Sequence, residues 1–194
     1  MRHDAGAPQA GHPMGRADPL DPVEGFPGVY AEYHAAVYRT IRAVVLNAAV
    51  AEELAQETFM RAYKARESYR PDAPVGAWLH RIAVNLAISH LRRERLSRLL
   101  PIRLGIPGPP DLREQVEART LVEEALGELS PKLRAAVVLH YFHGFTRDEV
   151  AAILGVPSGT VASRIAKSLV VMREKLSGNE QKPIPVRTTS HGVA

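Results

Sequence analysis

The stretch that decides the fold is TRDEVAAILGVPSGTVASRIAKSLVVMREKL, residues 146–176. It opens with a capping box, Thr146 followed three residues later by Glu149, which predicts the start of a helix. Gly155 predicts the end of that helix, because glycine adopts a left-handed backbone at little cost. Ser158 can cap a second helix. The pattern therefore predicts two short helices joined by a tight turn, which is helix-turn-helix geometry.

The second helix of this hairpin has an apolar face and a polar face. Its inward residues recur at spacings of four, four and three: Val161, Ile165, Leu169 and Met172. Its outward face carries hydroxyls and two cations, which could reach base edges and phosphates in a major groove: Thr160, Ser163, Arg164 and Lys167. A helix hairpin with a polar exposed face is also common scaffolding, so the spacing alone leaves DNA binding and a structural role open.

Proline and glycine divide the rest of the chain. Residues 1–27 and 177–194 have no apolar period and too little apolar surface to offset the entropy of ordering, so we expect both ends to be disordered. Residues 101–118 are rich in proline and glycine, the composition of a linker. Two helical blocks remain, residues 28–100 and 119–176. We therefore predict an all-α fold of two small helical domains joined by a flexible linker.

Composition excludes several classes of protein. The net charge of +4 favours an anionic partner but is too small to identify one. The chain has no cysteine, and hence no disulfide framework and no thiolate metal site. No apolar run approaches the roughly 20 residues that span a bilayer, and the N-terminus lacks the apolar core of a signal peptide. We expect a cytoplasmic protein.

The first block begins with two amphipathic helices. Residues 29–47 have apolar side chains at helical spacing, with Asn47 as a plausible stop. Residues 50–67 bury Leu54, Ala55, Phe59, Ala62 and Tyr63. The opposite face of this second helix is acidic in its N-terminal half, which complements the helix dipole: Glu52, Glu53, Gln56 and Glu57. A merely solvated face is the default interpretation of that pattern.

A proline-bearing loop, residues 68–75, precedes a long and largely apolar helix over residues 77–99. One polar strip interrupts that helix: Arg81, Asn85, Ser89, Arg92 and Arg93. Arginines can grip phosphates, and arginine near a helix C-terminus also complements the dipole with no ligand at all. Neither reason explains Asn85, whose amide requires either a buried hydrogen bond or a ligand. Trp78 on the same helix could stack on a base, although a core position is the favoured interpretation.

The second block begins with two short helices before the hairpin. The first ends at Ser130-Pro131, a cap followed by proline at the first helical position, and the next ends near Gly144. Together with the hairpin they form a four-helix unit. Four histidines show no spacing typical of a metal site, and we expect surface or hydrogen-bonded positions for them: His80, His90, His140 and His143.

The order of these features resembles a known family. AEELAQETFMRAY, AWLHRIAVNLAISHLRRER, a linker and LSPKLRAAVVLHYFHGFTRDEVAAILGVPSGTVASRI are similar to regions 2 and 4 of extracytoplasmic-function (ECF) sigma factors of the sigma-70 family. These are the promoter-recognition subunits of bacterial RNA polymerase. The resemblance covers about residues 28–176, with both blocks in the right order. It implies core RNA polymerase, through its β′ clamp helices and its β subunit, and promoter DNA as partners, and an anti-sigma factor as a further one.

The resemblance also assigns roles by matching position. Glu53, Gln56 and Glu57 would contact the clamp helices of the polymerase β′ subunit, replacing the solvated-face interpretation. The loop 68–75 and Asn85 would hold a base flipped from the −10 element, with Arg81, Ser89, Arg92 and Arg93 along the strand. Ser158, Thr160, Ser163, Arg164 and Lys167 would face the −35 element. This chain departs from the family's pattern at Ala162, where a basic residue is usual, and at Val75-Gly76, where an aromatic and a basic residue are frequent.

Two alternatives remain. A stand-alone helix-turn-helix regulator would use the first block for dimerisation or effector binding, and would bind duplex DNA tightly without polymerase. A nucleic-acid enzyme would use Glu52, Glu53 and Glu57 as a metal site, but neighbouring helix positions diverge by about 100 degrees and no aspartate or histidine completes a hard-cation cage. We therefore predict a non-enzymatic protein with no metal and no cofactor.

Overall fold

The computed structural model describes residues 22–23, 25–70, 73–104 and 120–180, and within these ranges it is helical, with no strand. The helices are α1 (Phe26–Val45), α2 (Ala48–Ala65), α3 (Val75–Leu104), α4 (Leu121–Gly127), α5 (Pro131–Val137), α6 (Arg147–Leu154) and α7 (Ser158–Glu180). A 3-10 turn, Arg66–Ser68, follows α2, and a π-helical turn, Val138–Phe142, continues α5. Most of the predicted disordered ends and of the predicted linker lies outside the described residues. The predictions are wrong at their edges, because α1 begins at Phe26, α3 continues to Leu104 and α7 continues to Glu180. The all-α, two-block fold is confirmed.

Helices α1, α2 and α3 form the first block. They pack on one another through apolar residues that recur at helical spacing, among them Val37, Ile41, Phe59, Leu79 and Ala83. The predicted burial of Tyr63 is wrong: half of this residue is exposed. Its ring meets the Phe26 ring edge to face and lies beneath the Arg66 guanidinium. These three residues mark the outer edge of the block.

The junction between α1 and α2 differs from the expectation. Asn47 does not end α1; instead its side chain accepts a hydrogen bond from the Val50 amide at 3.0 Å and caps α2. Leu46 ends α1 in a left-handed conformation with φ of 58°. The backbone therefore turns at a leucine rather than at a residue that favours this conformation.

Helix α3 is longer than the 23 residues implied by its polar and apolar pattern. It begins at Val75 and continues to Leu104, past Pro101 and into the stretch expected to be linker. Gly76 allows its first turn to approach α1 closely, because a Cβ at this position would lie 2.8 Å from the Tyr33 ring. The N-terminus of α3 is thereby held against α1.

Helices α4 to α7 form the four-helix second block. Its caps follow the sequence: Thr120 with Glu123, and Thr146 with Glu149, make complete capping boxes. The expected inward position of Leu169 is wrong, since 37% of this residue is exposed. Ser168 is fully buried in its place, and its hydroxyl donates to the Arg164 carbonyl at 2.8 Å.

The two blocks pack directly against each other. Helix α6 lies on α3, α5 lies on α1, and one continuous apolar cluster contains residues of both, including Ile41, Leu79, Leu139 and Ile153. A second cluster is built from α4 and α5, and Leu46 of the first block inserts into it. The helix-turn-helix therefore lies beside the loop that precedes α3.

Candidate functional site

The acidic face of α2 is exposed, as expected for a face that is free to bind a protein. Glu53 and Gln56 are exposed, and Glu57 is half-buried because its carboxylate accepts a hydrogen bond from the Arg61 guanidinium at 2.6 Å. Met60, on the same side of the helix, is 50% exposed. Apolar area beside carboxylates is a surface that can be buried by a partner with matching cations.

A cavity of about 290 Å³ lies between the loop before α3 and the helix-turn-helix. The Tyr69 hydroxyl donates to the Ala73 carbonyl at 2.5 Å across the loop, and the Tyr69 ring packs on Trp78 with centroids 5.2 Å apart. The first block contributes most of the lining: Ser68, Tyr69, Arg70, Ala73, Ala77, Trp78 and Arg81. Ala152 and Ile153 of α6 close the remaining side. Residues 71 and 72 lie outside the described ranges.

A second cavity, of about 350 Å³, lies on the other side of Trp78. Asn85 and Ser89 of α3 and Arg61 of α2 supply its polar groups, and Ile82 and Leu86 supply part of its apolar floor. Asn85 is exposed, and among the described residues its amide has no hydrogen-bond partner. A buried hydrogen bond therefore does not account for this residue, and its donor and acceptor are available to a ligand.

Trp78 is only partly buried, so the expectation of a core position is half right. Its ring forms a wall of both cavities, whose other lining residues include alanine and isoleucine as well as arginine and serine. An indole between two hollows of mixed apolar and polar lining offers a stacking surface to a planar ring, worth about 1 to 3 kcal/mol per base. The pairing of Tyr69 with Trp78 was not visible in the sequence, because the two residues are nine positions apart and belong to a loop and a helix.

The polar strip of α3 extends from these cavities toward the helix C-terminus. Arg81, Arg92 and Arg93 are exposed and Ser89 is half-buried. Arg98 is paired with Glu94, one turn earlier, at 2.5 Å. The strip thus presents cations to solvent on the same helix as the Asn85 amide.

The helix-turn-helix has the predicted turn. Gly155 ends α6 with φ of 63°, and the Val156 amide donates back to the Ala151 carbonyl at 3.1 Å. The Ser158 cap is wrong by one residue: Ser158 is the first residue of α7, and the Pro157 carbonyl accepts from the Thr160 amide at 2.9 Å. Proline sets the backbone here, so the serine hydroxyl is not needed as a cap.

The outward face of α7 is largely as expected. Ser163 and Lys167 are exposed, and Ser158, Thr160 and Arg164 are half-buried. The Ser163 hydroxyl donates to the Thr160 carbonyl at 2.9 Å, within the helix. Thr160, Ser163, Arg164 and Lys167 share one side of α7, away from the stripe of Val161 and Ile165 that packs on α6 and the core. The expected outward position of Ser158 is wrong, because Ser158 precedes Val161 by three residues and Ile165 by seven and so lies on the inward stripe, at the helix N-terminus.

A buried polar cluster joins the two blocks. The Thr40 hydroxyl of α1 bonds the Ala36 carbonyl at 3.0 Å, His80 Nδ1 of α3 at 3.1 Å and His143 Nε2 of the second block at 2.7 Å. Because a hydroxyl has one proton, donated here to the carbonyl, both rings must donate to its oxygen. Since Thr40 lies in the first block and His143 in the second, the hydrogen bond between them joins the two blocks.

Both rings of this cluster are held neutral. Burial, with His143 as a second cause, lowers the pKa of His80 from 6.5 to about 3. Burial, with the Arg39 cation as a second cause, lowers the pKa of His143 to about 4. The expectation of hydrogen-bonded histidines is confirmed for this pair. Their contact was not visible in the sequence, since 63 residues separate them.

Among the described residues no helix is both long enough and apolar enough to cross a membrane. Within the same part of the chain, no group of three potential metal ligands comes together.

Comparison with known proteins gives consistent matches. Residues 29–97 match the model of sigma-70 region 2, and residues 119–171 match that of sigma-70 region 4. The chain is 34% identical to the ECF RNA polymerase sigma factor SigM of Mycobacterium tuberculosis, over 74% of this chain and 72% of that protein. It is 28% identical to SigW of Bacillus subtilis, over 79% of this chain and 89% of that protein.

A solved structure has the same fold. The sigma factor RpoE of Bartonella quintana, in complex with the anti-sigma factor NepR, matches with a TM-score of 0.65 at 25% identity. The match covers 78% of this chain and 96% of the other.

Proposed function

This chain belongs to the ECF sigma factors of the sigma-70 family, and from that membership we propose how its surfaces bind core RNA polymerase and direct initiation at a specific promoter. Matches to both region 2 and region 4 favour this function over a stand-alone helix-turn-helix regulator. The polymerase forms the RNA chain, and the protein described here contributes binding and no catalysis. Because that partner is cytoplasmic, so is this chain.

The region boundaries form part of the proposal. Region 2 occupies residues 28–100 and region 4 occupies residues 119–176, and residues 101–118, of which 101–104 continue α3, connect the two regions. A tether raises the effective concentration of the second DNA contact once the first has formed.

The exposed face of α2 contacts the β′ clamp helices through Glu53, Gln56 and Glu57. Exposure of the first two, and of the neighbouring Met60, supports this assignment. The Glu57 carboxylate accepts a hydrogen bond from the Arg61 guanidinium, which orients the carboxylate along the helix surface. Removing a carboxylate here weakens association without disturbing the core, because these side chains lie outside it.

The two cavities beside Trp78 receive bases of the opened −10 element. The observation that carries this assignment is the exposed amide of Asn85, which has no hydrogen-bond partner among the described residues and lies in a hollow with Ser89 and Arg61. An amide can donate to and accept from one base edge, and Arg81, Arg92 and Arg93 hold the phosphates of the same strand. Unstacking a base costs a few kcal/mol, which these contacts offset.

Helix α7 reads the −35 element in the major groove. Lys167 and Arg164 contact phosphates, and Thr160 and Ser163 face base edges; Ser158 lies at the helix N-terminus, where backbone amides also favour a phosphate. Only two cations lie on this face, so we expect shallow salt dependence for the −35 contact. The Bartonella relative was solved with an anti-sigma factor, and we propose a partner of that class for this chain.

In vitro transcription with purified core polymerase on a promoter library tests the assignment. Asn85→Ala should impair promoter opening, measured by permanganate reactivity of unpaired thymines, by about tenfold or more, since a good base contact is worth about 1 to 3 kcal/mol. The association of the Asn85→Ala variant with core polymerase should not change. Ser97→Ala is the matched control, because Ser97 is an exposed polar residue of the same helix whose hydroxyl bonds the Glu94 carbonyl.

Glu53→Lys should weaken association with core by about tenfold, as expected for reversing a charge within an interface. Glu174→Lys, on the exposed surface of α7, makes the same change in net charge and should have no such effect. Equal loss of core binding and opening in Asn85→Ala would refute the base contact. Unchanged co-purification of Glu53→Lys with core would refute the α2 assignment.

A further inference from the structure

The second cavity contains a cation to which the −10 assignment gives no contact. Arg61 of α2 lines this cavity together with Asn85 and Ser89 of α3. The Arg61 side chain is 55% exposed, so it is not part of the packed core. A solvated arginine beside a hollow is available to a ligand that enters the hollow, and the geometry of its donors decides which ligand it prefers.

One edge of the Arg61 guanidinium is already bound. Its Nε–H donates to a Glu57 carboxylate oxygen at 2.6 Å, one helical turn earlier. Among the described residues its terminal nitrogens, Nη1 and Nη2, have no hydrogen-bond partner. A guanidinium is planar and its N–H groups form a rigid fork, so a bond at Nε restrains the whole group. The contact with Glu57 therefore leaves the two parallel N–H groups of the Nη1–Nη2 edge for a ligand.

Two parallel donors pair best with two neighbouring acceptors on a base. Guanine has the N7 and O6 acceptors side by side. Cytosine has N3 and O2 side by side on its Watson–Crick edge, which is exposed once the base has left the duplex. In adenine a donor amino group lies next to N7, and in thymine the N3–H donor separates the two carbonyl oxygens. The free edge of Arg61 thus fits cytosine and guanine, and it opposes a donor in adenine and thymine.

Asn85 alone does not make this distinction. An amide offers one donor and one acceptor, which adenine matches through N6 and N7. The Ser89 hydroxyl both donates and accepts, so it also fits any base edge. The discrimination between bases therefore comes from Arg61, whose side chain carries donors only and carries two of them as a fixed pair.

We propose that Arg61 determines base specificity in the −10 site by selecting a flipped cytosine or guanine, and that Glu57 is the residue that positions the Arg61 guanidinium. The inference rests on the proposed assignment of this cavity to the −10 strand. It gives Glu57 a second task beside its proposed contact with the β′ clamp helices, because the same carboxylate lies on the exposed face of α2 and binds the arginine of the cavity.

Forked promoter probes test the specificity. Each probe leaves the −10 non-template strand unpaired, and the set carries all four bases at each −10 position in turn. The affinity of core polymerase carrying the full chain is measured for each probe. At one position cytosine or guanine should bind about tenfold or more tightly than adenine or thymine, as a good bidentate pair gives. If no −10 position prefers cytosine or guanine, the proposal is overturned.

Arg61→Gln attributes that preference to one residue. The variant removes the paired donors, so the affinity ratio at that position should fall to about one, and the ratios at other positions should stay. Arg61→Lys keeps the charge but not the fork, and should lose the ratio as well. Lys64→Gln changes an exposed cation of α2 outside the cavity lining and should keep the wild-type ratio. A ratio that survives in Arg61→Gln, or that falls equally in Lys64→Gln, would overturn the role of Arg61.

Modified bases test the paired contact itself. If guanine is preferred, an analogue with carbon in place of N7 should lose most of the advantage, since only O6 remains as an acceptor. If cytosine is preferred, an analogue with carbon in place of N3 should lose it for the same reason. Full affinity for the analogue of the preferred base would overturn the contact with two acceptors.

Glu57→Ala tests the positioning role, with the chain at a saturating concentration so that core association does not limit the measurement. Glu53→Ala is the matched control, because Glu53 is exposed on the same face and belongs to the same proposed polymerase contact. Both variants should weaken core association, but only Glu57→Ala should lower the base ratio, by about two- to threefold, as expected for an exposed ion pair one turn apart. An unchanged ratio in Glu57→Ala, or an equal fall in both variants, would overturn the positioning role.

Asn85→Ala separates this proposal from the assignment on which it rests. If Asn85→Ala impairs promoter opening while Arg61→Gln keeps the base ratio, the −10 assignment stands and the specificity role of Arg61 is overturned. If neither variant changes promoter opening or the base ratio, the cavity does not hold a base and both proposals are overturned.

Discussion

Acidification should destabilise this protein through two histidines, His80 and His143. Both are neutral in the folded chain, where burial lowers their pKa values to about 3 and about 4, and both regain the ordinary value near 6.5 when the chain unfolds. Between pH 6.5 and these lower values the unfolded chain binds more protons than the folded chain. The free energy of unfolding therefore falls as the pH falls through that window.

The magnitude follows from linkage. At pH 5.5 each ring contributes about 1.4 kcal/mol of protonation free energy to the unfolded state, against almost none at pH 7.5. Two rings together lower the free energy of unfolding by about 2 to 3 kcal/mol. That is a large fraction of the free energy of unfolding of a typical domain, about 5 to 15 kcal/mol. The Thr40 hydroxyl cannot compensate, since each ring already donates to it as a neutral group.

Urea denaturation followed by circular dichroism at 222 nm, repeated from pH 7.5 to 5.5, measures the effect. Other groups also titrate, so the quantity to compare is the difference in free energy of unfolding between the wild type and the double variant His80→Gln/His143→Gln. The glutamine side chains of this variant do not ionise. That difference should decrease by about 2 to 3 kcal/mol over the range. His90→Gln, on α3 but outside the cluster, should reproduce the wild-type profile. A pH-independent difference would refute the reasoning.

Four further substitutions test the turns, the caps and one close contact. Gly155→Ala should destabilise the chain to urea by about 1 kcal/mol, because φ is 63° and a Cβ would meet nothing within 4 Å, so only the backbone conformation is penalised. Gly159→Ala, also with open space around it but helical, should instead stabilise by about 0.5 to 1 kcal/mol, and the same sign for both would contradict this account. Thr146→Ala removes the capping box and should lower the free energy of unfolding by about 1 kcal/mol, measured as a lower melting temperature. An unchanged melting temperature would mean that packing alone holds α6. Gly76→Ala places a Cβ 2.8 Å from the Tyr33 ring and should cost about 1 to 3 kcal/mol in urea denaturation, whereas a neutral result would mean that the ring moves freely.

The family's usual residues at positions 75 and 76 would not fit this packing unchanged. An aromatic or basic side chain in place of Gly76 requires Tyr33 to move away from α3. The first turn of α3 therefore lies against α1 through a contact that a larger residue at position 76 would not allow.

Local sequence determined the helices and their caps. The box at Thr146, the left-handed turn at Gly155 and the inward positions of Val161 and Ile165 each depend on neighbours within a few residues, so periodicity and capping rules were sufficient to predict them. The same rules located the polar strip of α3 and the acidic face of α2. Which of these residues touch polymerase or DNA stays a prediction.

Tertiary structure alone decided how distant segments meet. The contact of Thr40 with His80 and His143, the insertion of Leu46 into region 4 and the burial of Ser168 in place of Leu169 join residues that are far apart in sequence or depend on a neighbouring helix. Periodicity gives the face of a helix but not the partner that covers it, because many apolar faces are interchangeable in burial energy. The partner is selected by shape, by hydrogen bonds that must be satisfied once buried, and by the closure of the chain around them.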